Sequence, residues 1–196
     1  YNVGDTKEVD LGSLGTHTVR IANKSECTNG EISETACGFV VEFADIITQH
    51  SFNSTDTNVG GWRDSELRTY VNGTIYNALP SDLQNVITTT KVISGHGNTS
   101  GEKNFETQDK LYLLNAQEVW NTNDSDTSVG TSKQLDYYKN QGVTTDNYDG
   151  AIKQYNGSNS SWWLRSASSS DAYSFLDVYY DGGWRNVGAH YSIRVS

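Results

Sequence analysis

Short runs of alternating polar and apolar residues are separated along this chain by long polar stretches, and the alternation is clearest at the two ends. Lys7 to Leu11 and His17 to Ala22 alternate with the period of a strand, on either side of the turn sequence Gly12-Ser13-Leu14-Gly15. Gly38 to Phe43 reads as a third strand running on into Ala44-Asp45-Ile46-Ile47. In the middle the period changes. Leu67, Tyr70 and Val71 share one face of a helix over Ser65 to Asn72. After Pro80, Ser81 and Gln84 have the S-x-x-Q form of a capping box, opening a short helix through Leu83 and Val86-Ile87. The β-branched run from Thr88 to Ile93 predicts a strand, Gly95 to Thr107 a loop, Leu111 to Leu114 a short buried strand and Ala116 to Trp120 a helical turn. Asn121 to Ser132 reads as polar and flexible. Lys133 to Gln141 reads as a helix with Leu135 and Tyr138 inward, and Gly142 to Ser161 as a long polar connection. The end is β again, with strands at Trp162 to Ser166, Phe175 to Tyr180 and Ile193 to Val195, and with turn residues at Asp181-Gly182-Gly183. Strands at both ends with helices between give the class α+β, in a single domain over residues 1–196.

Composition narrows the function. The net charge is −10, and a phosphate-binding surface needs a basic footprint, so nucleic acid and anionic membrane are not expected partners. No apolar run reaches the roughly 20 residues that span a bilayer, so no direct membrane insertion is expected. The chain opens on Tyr1 and has no Met, so a processed or partial chain is expected, with any export signal or anchor outside it. Cys27 and Cys37 are spaced to close a disulfide loop, which would suit an extracytoplasmic setting, or to stand as two free thiols.

The residues select no catalyst. His17, His50, His96 and His190 lack metal-ligand spacing, and there is no G-x-S-x-G sequence and no P-loop. The expectation is a protein that is not an enzyme and uses no cofactor. Asn121 to Asp126 clusters oxygen ligands of the kind calcium takes, but lacks the EF-hand spacing and its Glu; it is expected to be a solvated polar loop and not a metal site.

The strongest signal is in the last stretch. From Trp162 to Ser196 there is no Lys, Glu, Gln or Met, although Lys, Glu and Gln recur before it. In their place stand Ser168, Ser169, Ser170, Asp171, Tyr173, Tyr179, Tyr180, Asp181, Trp184, Arg185, Asn186, His190 and Tyr191. Tyr and Trp provide large contact area with few rotors to freeze, and Ser, Gly and Asn provide adaptable hydrogen bonding, the mixture antibody paratopes use. These thirteen residues are the candidate ligand-binding set. The plain alternative is that aromatic and small residues suit strands and turns.

A family resemblance is carried by Trp162-Trp163-Leu164-Arg165-Ser166, Phe175-x-x-Val178, Asp181-Gly182 and Ile193-Arg194. The central matches are Gly60-Gly61-Trp62, Ser65-Glu66-Leu67-Arg68 with Tyr70-Val71-Asn72, Leu79-Pro80, and Asp109 to Leu114. On these residues the chain resembles a bacterial and phage surface-domain family with a C-type-lectin fold of formylglycine-generating-enzyme type. Several members of that family are similar to the variable proteins of diversity-generating retroelements. The resemblance implies a C-type-lectin fold and a hypervariable binding region over residues 162–196, presented outside the cell on a bacterial surface or phage particle to a protein or glycan ligand. If variable positions start as AAY codons and only adenines change, Lys, Glu, Gln, Met and Trp are unreachable there, so Trp162, Trp163 and Trp184 would be fixed scaffold. One of Trp162 and Trp163 is expected in the core and the other at the site. Arg165 and Arg194 are expected to pair with carboxylates such as Glu66 or Asp109. The catalytic relative of that fold uses a C-terminal cysteine pair, which this chain lacks after Cys37. The alternative function is a carbohydrate-binding lectin of fixed specificity, its exposed aromatics stacking on sugar faces.

Overall fold

The computed structural model describes residues 1–196 and is an α+β structure built mostly from short strands. In chain order the strands are β1 (Thr6–Asp10), β2 (Thr16–Asn23), β3 (Val40–Phe43), β4 (Thr48–Ser51), β5 (Thr90–Ser94), β6 (Phe105–Asp109), β7 (Lys153–Tyr155), β8 (Ser158–Ser160), β9 (Trp162–Ala167), β10 (Ser174–Val178), β11 (Trp184–Gly188) and β12 (Ser192–Val195). The helices are α1 (Glu66–Tyr70), α2 (Tyr76–Ala78), α3 (Ser81–Val86), α4 (Ala116–Trp120) and α5 (Asp136–Asn140). Strands β1-β2-β3 form one antiparallel sheet. A second sheet has the order β11-β10-β9-β12-β4, and β5-β6 and β7-β8 are separate hairpins. In the five-stranded sheet only β12 and β9 run parallel.

The five-stranded sheet is covered on both faces, and this organises the core. Trp163, Ala167 and Phe175 point to one side, into a cluster with Phe52, Trp62, Leu67 and Val71. Trp162, Leu164, Leu176 and Val178 point to the other, into a cluster with Val119, Trp120, Leu135 and Tyr138. Successive residues of a strand face opposite ways, so the unbroken burial of β9, which opens on Trp162-Trp163-Leu164, is what a doubly covered strand requires. This corrects the expectation that one of Trp162 and Trp163 faces a site. Both are buried, and their indole N–H groups donate to Ala151 O (3.2 Å) and His50 O (2.9 Å).

Buried charges tie the layers together. Arg165 in β9 is fully enclosed and meets the equally enclosed Glu118 of α4 through two N–H···O bonds of 2.7 Å. It donates further to Ile93 O, Leu113 O and Thr35 Oγ1 (3.0, 2.7 and 3.2 Å), which engages all five of its N–H groups. The expected partners Glu66 and Asp109 are therefore wrong for Arg165. Asp109 instead accepts from Trp62 Nε1 and Arg68. Glu118 also completes a capping box with Asn115 at the start of α4. A second buried group joins Glu42 to Arg20, Lys153 and Tyr138. Burial works against the Glu42 charge, but Arg20 and Lys153 overcome it and hold the carboxyl at about 2; burial brings Lys153 down to about 8.

Other local expectations change for physical reasons. Ser65 caps α1 by accepting from Arg68 N. The predicted Ser81–Gln84 capping box does not form. Ser81 is already helical after Pro80, and Gln84 Nε2 donates to Leu79 O instead. Leu111 to Leu114 is not a strand. The strand lies earlier, as β6, which overlaps the end of the stretch expected to loop. The Asn121–Asp126 loop is not simply solvated. Asn123 and Asp126 are buried, and Asp126 accepts from Ser128 N, Ser128 Oγ and Ser166 Oγ. Cys27 and Cys37 form a disulfide.

Candidate functional site

The thirteen candidate residues lie on the β9–β10–β11 region, but the fold divides them. Strand β10 pairs with β11 from Ser174↔Gly188 to Val178↔Trp184. Most candidates gather at the two ends of this hairpin, separated by the length of β11, about 14 Å at about 3.4 Å per residue, and Asn186 stands between them opposite Leu176. They form two patches joined along β11. Strand β11 is the edge of its sheet, with Trp184 exposed and its other residues half-buried.

The first patch is the hairpin tip. Tyr179 N donates to Gly183 O (2.7 Å) and Gly182 N to Tyr179 O (2.9 Å); Gly183 N donates to the Asp181 carboxylate (2.9 Å). Gly182 has φ 92°, and a Cβ there would come within 2.1 Å of Tyr148 O, so only glycine fits. Trp120 Nε1 donates to Gly182 O (3.1 Å), fastening the tip to the core. On this anchored loop Tyr180 and Trp184 are exposed, at 50% and 41%. The Arg185 guanidinium lies 4.3 Å from the Tyr179 ring and pairs with Asp177 at 2.9 Å. Asp177 is fully buried. Its burial outweighs the attraction of Arg185 and raises its carboxyl to about 6. Asn186 follows in β11 and is half-buried.

The second patch is at the other end. Asp171 accepts from Tyr173 N and Ser174 N (2.9 and 2.7 Å), so its carboxylate shapes the loop. Tyr173 and Tyr191 are exposed at 53% and 56%. The His190 ring lies against Tyr191 with centroids 4.2 Å apart, and its Nδ1 is 2.6 Å from Asp56. Hydrogen bonding from His190 holds the Asp56 carboxyl below the usual range. Ser169 is half-buried and Ser170 exposed; Ser169 O accepts from Asn98 (2.9 Å). Ser168 does not belong to this surface. It is fully buried, its N–H donates to Ser174 O, and its Oγ accepts from Ser170 N. Asn58, absent from the candidate set, holds the loop from below by donating to the carbonyls of Ser168, Asp171 and Ser174 (3.1, 2.9 and 2.8 Å).

Residues 40–196 match the family described as Domain of unknown function (DUF6273). The chain belongs to this family. No curated protein and no solved structure matches it. The matched span opens at β3, so the DUF6273 domain takes in the whole five-stranded sheet and both patches, whereas β1, β2 and the Cys27–Cys37 loop precede it.

Two concavities can be compared with these patches. One, of about 280 Å³, is apolar and lies against β3, with Val71, Ile75, Leu79 and Leu83 among its walls and Phe39, Val41 and Val86 exposed on its lining. It contains none of the candidate residues. The other, of about 330 Å³, is shallow and polar and is lined by Gln49, Ser160, Ser161, Arg185, Ser192, Ile193 and Arg194. Arg185 is its one predicted member. Arg194, expected to meet a carboxylate, instead donates to Ser160 Oγ (3.1 Å) and Gln49 Oε1 and lies 4.3 Å from the Tyr155 ring. The group of ≥3 His, Cys, Asp or Glu side chains that a metal ion would need occurs nowhere in the fold.

Proposed function

We propose that this domain is a ligand-binding module, of receptor or adhesion type, that engages its ligand through the β10–β11 hairpin and not through catalysis. One observation carries this reading. Tyr180 and Trp184, and beyond them Tyr173 and Tyr191, stand exposed on backbone that hydrogen bonds and buried anchors hold in place. Large rings on a fixed frame give contact area at low ordering cost, which is what a recognition surface needs and a merely soluble surface does not. The division between buried β9 and the exposed hairpin tip also supports the C-type-lectin resemblance, in which a rigid scaffold presents replaceable side chains to a protein or glycan outside the cell. Retroelement diversification of Ser169, Ser170, Tyr173, Tyr179, Tyr180, Arg185, Asn186, His190 and Tyr191 remains part of the proposal.

The test is a pair of single variants, Tyr180→Ala and Trp184→Ala, screened with the parent chain on a glycan array and a panel of bacterial surface proteins. Each variant is expected to unfold within about 1 kcal/mol of the parent, as surface substitutions do, and to lose binding at least about tenfold, as truncation of an exposed interface aromatic does. Loss of several kcal/mol of stability would make these rings core. Full retention of binding by both variants would move the ligand site elsewhere.

A further inference from the structure

The polar concavity that Arg185 shares with Arg194 is cationic in an acidic chain. In a molecule of net charge −10, it is lined by two guanidinium groups, three serines, a glutamine and an isoleucine, and by no carboxylate. Arg20, Arg63, Arg68, Arg165 and Arg185 each have a carboxylate partner, at 2.9, 2.7, 2.8, 2.7 and 2.9 Å. Arg194 has none. It is oriented by neutral acceptors, Ser160 Oγ and Gln49 Oε1, and by the face of Tyr155. That arrangement fixes the guanidinium plane yet leaves its positive charge uncompensated and most of its N–H donors free, since a guanidinium carries five.

Arg185 enters the same concavity from the edge strand. Its Nε and Nη2 are turned to Asp177, which leaves Nη1 to face away from that carboxylate. Ser161 and Ser192 add hydroxyls beside it. Planar guanidinium donors with adjacent hydroxyls match the two oxygens of a carboxylate and the hydroxyls that neighbour it on a sugar ring. The Arg185 guanidinium in turn lies 4.3 Å from the centre of the Tyr179 ring, and the Tyr179 and Tyr180 rings are 4.2 Å apart, so Arg185 links the concavity to the aromatics of the tip. An acidic sugar seated here would place its carboxylate on arginine and leave the following residues of the glycan beside Tyr180. An acidic peptide is the competing ligand class, and the poly-glutamate comparison below separates the two.

We propose that Arg194, with Arg185, Ser161 and Ser192, forms the subsite for the carboxylate of an acidic glycan, the class of sialic acids and uronic acids. This rests on the ligand-binding reading of the hairpin and names the chemistry of its ligand.

The experiment measures binding of the whole chain at 0.15 M salt to sialyllactose against lactose, and to an oligogalacturonate against the same oligosaccharide with its carboxyls reduced to alcohols. A heparin oligosaccharide and a poly-glutamate peptide are run beside them. Carboxylated glycans are expected to bind and their neutral counterparts to bind at least about tenfold more weakly. Arg194→Gln should remove about 10- to 100-fold of the acidic-glycan affinity, the scale of a lost charged hydrogen bond. Neutral-glycan binding should fall by a smaller factor, because a neutral sugar loses only an uncharged hydrogen bond there. Arg194→Lys should restore only part, because an ammonium cannot form the two parallel bonds. If Arg194→Gln does not fold, Ser161→Ala and Ser192→Ala carry the same test at smaller amplitude. Equal binding of acidic and neutral glycans, or no effect of Arg194→Gln, overturns the carboxylate subsite while leaving the aromatic surface standing if Tyr180→Ala still abolishes binding. Preference for heparin or poly-glutamate over the carboxylated glycans overturns the ligand class. Retention of none of these reagents overturns the acidic-glycan assignment, and the surface-protein panel with Tyr180→Ala and Trp184→Ala then decides the broader reading separately.

Discussion

Glu118→Gln is the substitution that most directly tests how the scaffold is held. Both partners of the Glu118–Arg165 pair have no exposure, and two N–H···O bonds of 2.7 Å join them. The substitution keeps the shape of the side chain and removes one charge. Arg165 then remains enclosed, with Ile93 O, Leu113 O, Thr35 Oγ1 and one amide oxygen to accept from it. Carbonyl and hydroxyl dipoles do not neutralise a full charge, and the amide of Gln offers one acceptor where the carboxylate offered two. Breaking a buried pair by removing one partner costs about 3–5 kcal/mol, because the remaining ion is left uncompensated. For a chain of this size each kcal/mol shifts Tm by about 2–4 °C, so the expected fall is about 6–20 °C. Urea unfolding followed by tryptophan fluorescence, with the slope against urea unchanged, measures the free energy directly. A companion double variant, Glu118→Leu with Arg165→Met, removes both charges and should recover much of the loss. A Glu118→Gln loss below about 1 kcal/mol would show that water reaches the pair, which the enclosure does not allow, and would refute the reasoning.

Asp177→Asn should change the pH dependence of stability. Burial raises the Asp177 carboxyl from 3.8 to about 6, so the folded chain holds this proton more tightly than the unfolded chain. Its contribution to stability is full below about pH 4 and is lost as pH rises through 6. Relative to the parent, the Asn variant should therefore gain on the order of 1–3 kcal/mol between pH 4 and pH 7.5, read from urea unfolding at the two pH values; a change of the opposite sign would refute this. Gly182→Ala should destabilise by about 1–3 kcal/mol and weaken ligand binding together, because the added Cβ meets Tyr148 O at 2.1 Å and displaces the tip. An unchanged Tm in a thermal melt would show that the tip is not anchored there.

The sequence discloses most where one face of a strand is polar. Strands β1, β2 and β3 alternate visibly, and the structure places them within a residue or two of the expected ranges. Strand β6 escapes because its inward residues are Phe105, Thr107 and Asp109; Thr107 and Asp109 are buried by hydrogen bonding, to each other and to Trp62, and not by hydrophobicity. Strand β4, Thr-Gln-His-Ser, has no apolar residue at all and is fixed by pairing with β12. The β7–β8 hairpin did carry a local signal. Asn156 and Gly157 have φ 50° and 79°, as the Asn-Gly turn between two strands requires. The partner of Arg165 is 47 residues away and is assigned by topology, which residue spacing does not encode. Much the same limit applies to the site. Aromatics beside turn residues are visible in the sequence, but their separation into two patches follows from the register of β10 with β11. Gln49, Ser160 and Arg194 meet only because β4, β8 and β12 converge.

The last strands combine a wholly buried strand with an exposed edge strand, and position in the sheet keeps the two apart. In β9 every residue is buried, so each of its side chains belongs to one core cluster or to the buried polar network, and none is available to a ligand. Strand β11, at the free edge, has no buried residue: Trp184 is exposed and the others are half-buried. A substitution in β11 or in the tip therefore alters what the molecule presents without opening a cavity, provided Gly182 and Asp177 are kept. Ser168 shows where this freedom ends. Although it stands beside Ser169 and Ser170 in the same composition, it is fully buried under Asn58, and a larger side chain there would have to displace the loop that positions Asp171 and Tyr173. A surface whose sequence varies while its scaffold does not must leave such positions constant, so the buried serine and the exposed tyrosines are held by different constraints within one short segment.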